Sequence, residues 1–267
     1  APMQERLDAL WDWDDPAGSE ARFREAAEAA KPNGREQRIL LTQVARAAGL
    51  QGRFDEAFAI LDALARAADQ DPELTVRISL ERGRVLNSSG SPDDARRHFD
   101  AALAVAQDEG LENLAVDAMH MQAIIAPPDE QAALNERAIA VAQGAADPRA
   151  RQWLGSLYNN LGWTRLDAGD APEALRLFEL ALAERRKRDQ PRETAIARWA
   201  VARALRATGR VEEALAAQLQ LAGDNAAVGF EDPYVDQEIG ECLLALGRED
   251  EAQPHLARAA EGLAAEP

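Results

Sequence analysis

Apolar residues recur along this chain at helical spacing. Ala174, Leu175, Leu177, Phe178, Ala181 and Leu182 form one stripe. The run before it, with Tyr158, Leu161, Gly162 and Leu166, stops at Gly169. No segment keeps a clean period of two, so the pattern predicts helices and no strands. Fixed punctuation separates the runs. A Gly supplies the left-handed conformation that ends one helix, and Pro or Asp/Glu then opens the next.

That punctuation is repeated. It reads Gly52-Arg53-Phe54-Asp55-Glu56-Ala57, Gly90-Ser91-Pro92-Asp93-Asp94-Ala95, Gly169-Asp170-Ala171-Pro172-Glu173-Ala174, Gly209-Arg210-Val211-Glu212-Glu213-Ala214 and Gly247-Arg248-Glu249-Asp250-Glu251-Ala252. The glycines stand 38, 79, 40 and 38 residues apart. The long step holds one degenerate unit at Ala126-Pro127-Pro128-Asp129-Glu130, which divides it into 38 and 41. Each unit therefore reads as a helix hairpin. Small residues at Gly162 and Ala174 let its helices approach, while Tyr158 and Phe178 fill the remaining space. A single hairpin cannot bury its own apolar face, so the units must stack.

Composition narrows the function. With 30 Lys+Arg against 47 Asp+Glu the net charge is −17, which argues against a general nucleic-acid or anionic-membrane binder. One cysteine, Cys242, excludes an intrachain disulfide framework and a Cys-based zinc site, and fits a reducing, cytoplasmic setting. Three scattered histidines, and the absence of HExxH, P-loop and GxGxxG motifs, leave no catalytic, metal or cofactor signature. No apolar stretch reaches the length of a membrane span, and Ala1-Pro2-Met3-Gln4-Glu5 lacks the features of a signal peptide.

Leu157-Tyr158-Asn159-Asn160-Leu161-Gly162-Trp163, followed by Gly169-Asp170-Ala171-Pro172-Glu173-Ala174-Leu175 and Phe178-Glu179-Leu180-Ala181-Leu182, resembles the tetratricopeptide repeat. The other units match mainly in the turn and second helix. Steps of 38 to 41 residues exceed the usual repeat of about 34, as in the long-helix variety similar to the kinesin light chain type. The resemblance implies an all-α, right-handed α-solenoid of about seven antiparallel hairpins, a single domain over residues 1–267. Residues 4–30 would form a degenerate first hairpin and 34–263 six repeats, with the one at about 111–145 degenerate.

Chemistry-bearing residues mostly have structural readings. Trp11 and Trp13 would cap the open end of the core. Acidic pairs at helix starts complement the helix dipole, and Arg185-Arg186-Lys187-Arg188 suits a helix end. Cys242 reads as a small buried side chain and Met119 and Met121 as core filler, with the register of His120 open.

In the tetratricopeptide family the first helix of each hairpin lines a concave groove. Mapping from the turn glycine places Arg46, Arg84 and Arg203 at one equivalent position, with Trp163 at that position in the best-matched unit. Arg77, Asn87, Asn159, Asn160, Trp199 and Arg206 lie at nearby groove positions. Arginine forks bind carboxylates, and paired Asn can bind peptide backbone. The expected function is a non-enzymatic interaction module for a peptide or protein segment, an acidic one if the arginines are free. The alternatives are a ligand-responsive regulator and an accessory subunit of an enzyme. The lysines of the family's chaperone-tail clamps are missing.

Overall fold

The turn glycines take up the conformation that their position requires. Gly52, Gly90, Gly169, Gly209 and Gly247 all have φ between +74° and +93°. After each, the next backbone N–H reaches back to a carbonyl of the last helical turn, as in Arg53 to Ala48 and Arg210 to Leu205, both at 3.0 Å. Helix starts are capped from the sequence as well. The side chains of Asp15, Asp71, Asp147, Asp170 and Asp232 each accept a backbone N–H of the following turn.

The computed structural model describes residues 2–67 and 70–266. The described residues contain helices and no strand. The chain divides into two compact units, residues 1–153 and 154–267. The first holds four antiparallel hairpins: α1 (Met3–Leu10) with α2 (Pro16–Ala29), α3 (Arg35–Leu50) with α4 (Phe54–Ala67), α5 (Pro72–Ser88) with α6 (Pro92–Asp108), and α7 (Glu112–Ile125) with α8 (Pro128–Gly144). A short α9 (Pro148–Arg151) follows. The second unit holds three hairpins: α10 (Leu154–Asp167) with α11 (Ala171–Lys187), α12 (Pro191–Ala207) with α13 (Val211–Ala227), and α14 (Pro233–Ala245) with α15 (Glu249–Ala264).

Stacking places first helices beside first helices: α3 touches α5, α5 touches α7, and α12 touches α14. Each unit thus has one face built from first helices. Between the two helices of a hairpin, glycine permits close approach. A Cβ at Gly162 would stand 2.5 Å from the Phe178 ring, and one at Gly83 2.4 Å from Phe99. Both rings are fully buried.

The structural readings of the remaining residues hold. Cys242, Met119 and Met121 are buried. The Arg185–Arg188 run closes α11, where Lys187 pairs with Glu184 at 3.2 Å and Arg185 donates to Ser156 Oγ at 3.0 Å. Among the described residues, no helix is long and apolar enough to cross a membrane.

Candidate functional site

In the first unit the arginines of the first-helix face are already paired. Arg84 forms a bidentate contact with Asp117 on α7, with Nη1 to Oδ1 at 2.8 Å and Nη2 to Oδ2 at 2.5 Å. Its Nε lies 3.2 Å from Glu81 Oε2 on its own helix. Arg46 on α3 reaches the same Glu81 at 3.9 Å. A charged ladder therefore runs Arg46–Glu81–Arg84–Asp117 across three hairpins, with Glu81 and Asp117 buried. It continues upstream into aromatic rings. Trp11 and Trp13 stack at 4.1 Å, and the Arg46 guanidinium sits 4.5 Å from the Trp13 centroid. Trp11 packs on Phe23 at 5.0 Å and so covers the core end, whereas Trp13 stays 55% exposed and covers Arg46 instead.

The ladder sets the protonation of its members. Burial opposes charge on Asp117, but Arg84 overrides it and holds the carboxyl below its ordinary range. Burial likewise opposes charge on Arg84, and Asp117 and Glu81 more than offset it. Arg46 is pushed down to about 10, by burial and then by repulsion from Arg84.

Pairing of Arg84 with Asp117 also settles the register of the α7 hairpin. His120 lies one turn beyond Asp117 on α7, with its ring 5.0 Å from Trp153. Burial pushes the imidazole down to about 4. Asp117 counteracts this, and Arg84 and Arg46 reinforce it. A histidine depressed in the folded state contributes stability that is fully present above pH 6.5 and disappears as pH falls to about 4. Wild-type protein is expected to lose up to about 3 kcal/mol over that window through this residue. Urea midpoints measured from pH 7 to pH 4 should fall less steeply for His120→Gln, and equal slopes would refute the assignment. Asp117 titrates below the window.

Two further groove candidates fare differently. Arg77 is only 5% exposed, held by Glu73 at 3.1 Å and by Gln4 Oε1 of α1 at 2.9 Å. Packing of α1 removes it from the surface, which corrects its reading as a groove residue. Asn87 sits half-buried in the last turn of α5.

The second unit presents a different face. Trp163 on α10, Trp199 on α12 and Tyr234 on α14 form a continuous aromatic row, with centroids 5.7 Å and 6.2 Å apart. Trp199 Nε1 donates to the Tyr234 carbonyl at 3.1 Å, which fixes the middle ring. Phe178 backs Trp163 from the core at 5.1 Å. Ile196, one turn before Trp199, is 51% exposed, and Tyr234 is 45% exposed. Asn159 and Asn160 are half-buried on α10.

Arg203 and Arg206 share a single buried carboxylate in this unit. Arg206 grips Glu238 with two bonds, at 2.7 Å and 3.0 Å. Arg203 reaches the same carboxylate through Nε at 3.2 Å, and its side chain stays partly exposed. The free basic stripe expected from the four arginines is therefore replaced. Arg84, Arg203 and Arg206 pair with buried carboxylates and Arg46 lies between the Trp13 ring and Glu81, because a guanidinium on a packed helix face finds its counter-ion on the next hairpin. Arg203 shares its carboxylate with Arg206 and is the more exposed of the two.

The sequence reading missed Glu81, Asp117, Glu238, Ile196 and Tyr234. A signal for the carboxylates was present. Glu81 and Glu238 both stand nine residues before a turn glycine, and Glu81 three before Arg84.

No protein-family profile matches the sequence, and no curated protein matches it. Solved structures do. BtubC (BKLC) from P. vanneervenii superimposes with a TM-score of 0.64 at 19% identity, covering 87% of this chain and 94% of that one. The apo form of RapI gives 0.72 at 8% identity, over 97% and 76%. NprR, in complex with its cognate peptide NprX, gives 0.55 at 15% identity, over 97% and 77%. A kinesin light chain with nearly identical TPR-like repeats, from Podosopora anserina, is also similar, with a TM-score of 0.58 at 20% identity, over 70% and 93%. This is the tetratricopeptide repeat fold. Within it, the aromatic row and Arg203 lie on the first helices, where the resemblance places a groove.

Proposed function

We propose that the protein is a non-enzymatic interaction module that takes an extended peptide or protein segment on its first-helix face, within residues 154–267. The aromatic row carries this reading. Three adjacent first helices present half-buried rings beside the exposed Ile196, an arrangement suited to apolar side chains. Arg203, one turn after Trp199 and partly exposed, favours a segment with a carboxylate near its apolar residue. Asn159 and Asn160 would hold peptide backbone. The first unit, with its arginines paired internally, would serve as scaffold.

Affinity capture from native lysate with wild-type and Trp199→Ala/Arg203→Ala chains tests the reading. Proteins held by the wild type should be lost from the double variant, whose helical circular dichroism should stay intact. Identical captured sets would end the proposal. A peptide-responsive regulator is the second reading, favoured by the fold shared with NprR in its peptide complex.

A further inference from the structure

The connection between α13 and α14 differs from the other inter-hairpin connections. Those at residues 31–34 and 188–190 are polar. This one carries Val228 at 80% exposure and Phe230 at 54%. Local geometry explains why both stand out. Gly229 has φ +75°, and the Phe230 N–H donates to the Asn225 carbonyl at 3.0 Å, closing a Schellman turn. Such turns usually pack the residue after the glycine on an apolar partner one turn back. At the equivalent turn, the Leu111 N–H donates to the Ala106 carbonyl at 2.8 Å, the position one turn back is apolar, and Leu111 is half-buried. Here the position one turn back is the polar Asn225, and Phe230 is 54% exposed.

Carboxylates follow this knuckle directly in the chain, at Glu231 and Asp232. A cavity of about 290 Å³ is lined by Glu231, Pro233, Asp236, Arg258, Glu261 and Gly262. Arg258 is already engaged with Asp236 at 3.3 Å and with His255 at 2.9 Å. Glu266 accepts the Tyr234 hydroxyl at 3.3 Å. The negative charges are crowded: burial, and then repulsion from Glu266 and Asp236, hold the Asp232 carboxyl above its ordinary value despite two backbone N–H bonds.

We propose that Val228, Phe230 and the adjoining acidic cavity form a second docking surface, for a basic protein segment. It would place an apolar side chain on the knuckle and a Lys or Arg among the carboxylates. Charge selects this occupant. A second copy of a chain of net charge −17, or an anionic bilayer, would meet like charge at the rim. This surface lies on an inter-hairpin turn and does not depend on Trp163, Trp199 or Arg203.

The test uses the full chain and a short fluorescent peptide of alternating leucine and lysine pairs. Fluorescence anisotropy should show saturable binding that Val228→Ser/Phe230→Ser weakens about tenfold or more without changing net charge. Leu50→Ser, which removes another half-exposed apolar side chain, should leave it unchanged. Replacing leucine by serine in the peptide should weaken binding, and replacing lysine by glutamate should abolish it. Equal affinity for wild type and Val228→Ser/Phe230→Ser would mean that charge alone attracts the peptide, and would overturn the proposal. Absence of binding would do the same. A concentration-dependent dimer in sedimentation velocity that the double variant loses would assign the knuckle to a second copy, and would equally overturn it.

Discussion

Arg84→Ala is expected to destabilise the unit formed by residues 1–153 by about 3–5 kcal/mol, the usual cost of stranding a buried charge. Asp117 and Glu81 are 6% and 2% exposed, and Arg84 is the close cation for both. Its removal leaves Glu81 with Arg46 at 3.9 Å and Asp117 without its bidentate partner. Chemical denaturation followed by circular dichroism measures the loss. Arg84→Met/Asp117→Leu should cost less, because it removes one of the two stranded carboxylates and leaves only Glu81, with Arg46 at 3.9 Å. A cost below about 1 kcal/mol for the single variant would show the pair to be solvated in solution. From sequence, Arg84 reads as a groove residue that offers its fork to a bound segment. The structure reverses that expectation, since its guanidinium links two hairpins.

Phe178→Ala should cost the second unit about 3–5 kcal/mol, the range for emptying a buried aromatic site. The ring is fully buried, and α10 approaches it so closely at Gly162 that no Cβ would fit. Neighbouring backbone at Gly162 cannot collapse to fill the space with a side chain, so much of the cavity should persist. The change also reaches the surface, because Phe178 backs Trp163 at 5.1 Å and Trp163 begins the aromatic row. Urea denaturation should show the stability loss, and tryptophan emission of the folded variant should shift to the red. Phe178→Leu should lose less on both measures. An unshifted emission spectrum would separate the row from the core.

Helix positions were legible in the sequence because the signals are local. A glycine that must adopt positive φ, an aspartate that caps the next turn and a stripe at helical spacing all act within a few residues. Gly52, Asp170 and the run from Ala174 to Leu182 state their roles without help from distant chain. The buried fates of Cys242 and Met119 follow in the same way, from apolar neighbours on their own helices.

The state of the groove residues could not be read so directly. First helices brought Arg46, Arg84, Arg203 and Arg206 to one kind of face, as repeat spacing predicts. Whether each remains available depends on residues 32 to 35 positions away, on the next hairpin. Glu81, Asp117 and Glu238 come within reach only after the hairpins stack. Arg77 likewise reads as exposed until α1 packs over it. The aromatic row has the same origin: Trp163, Trp199 and Tyr234 occupy different positions in their repeats, and only the packing of neighbouring hairpins brings their rings together. The sequence by itself therefore determined the helices, their pairing into hairpins and the repeat that stacks them, because these rest on local backbone chemistry and periodic burial. Tertiary structure alone decided which charges are neutralised and which rings stay open, because ion pairs and aromatic contacts depend on side chains that packing brings together from separate hairpins.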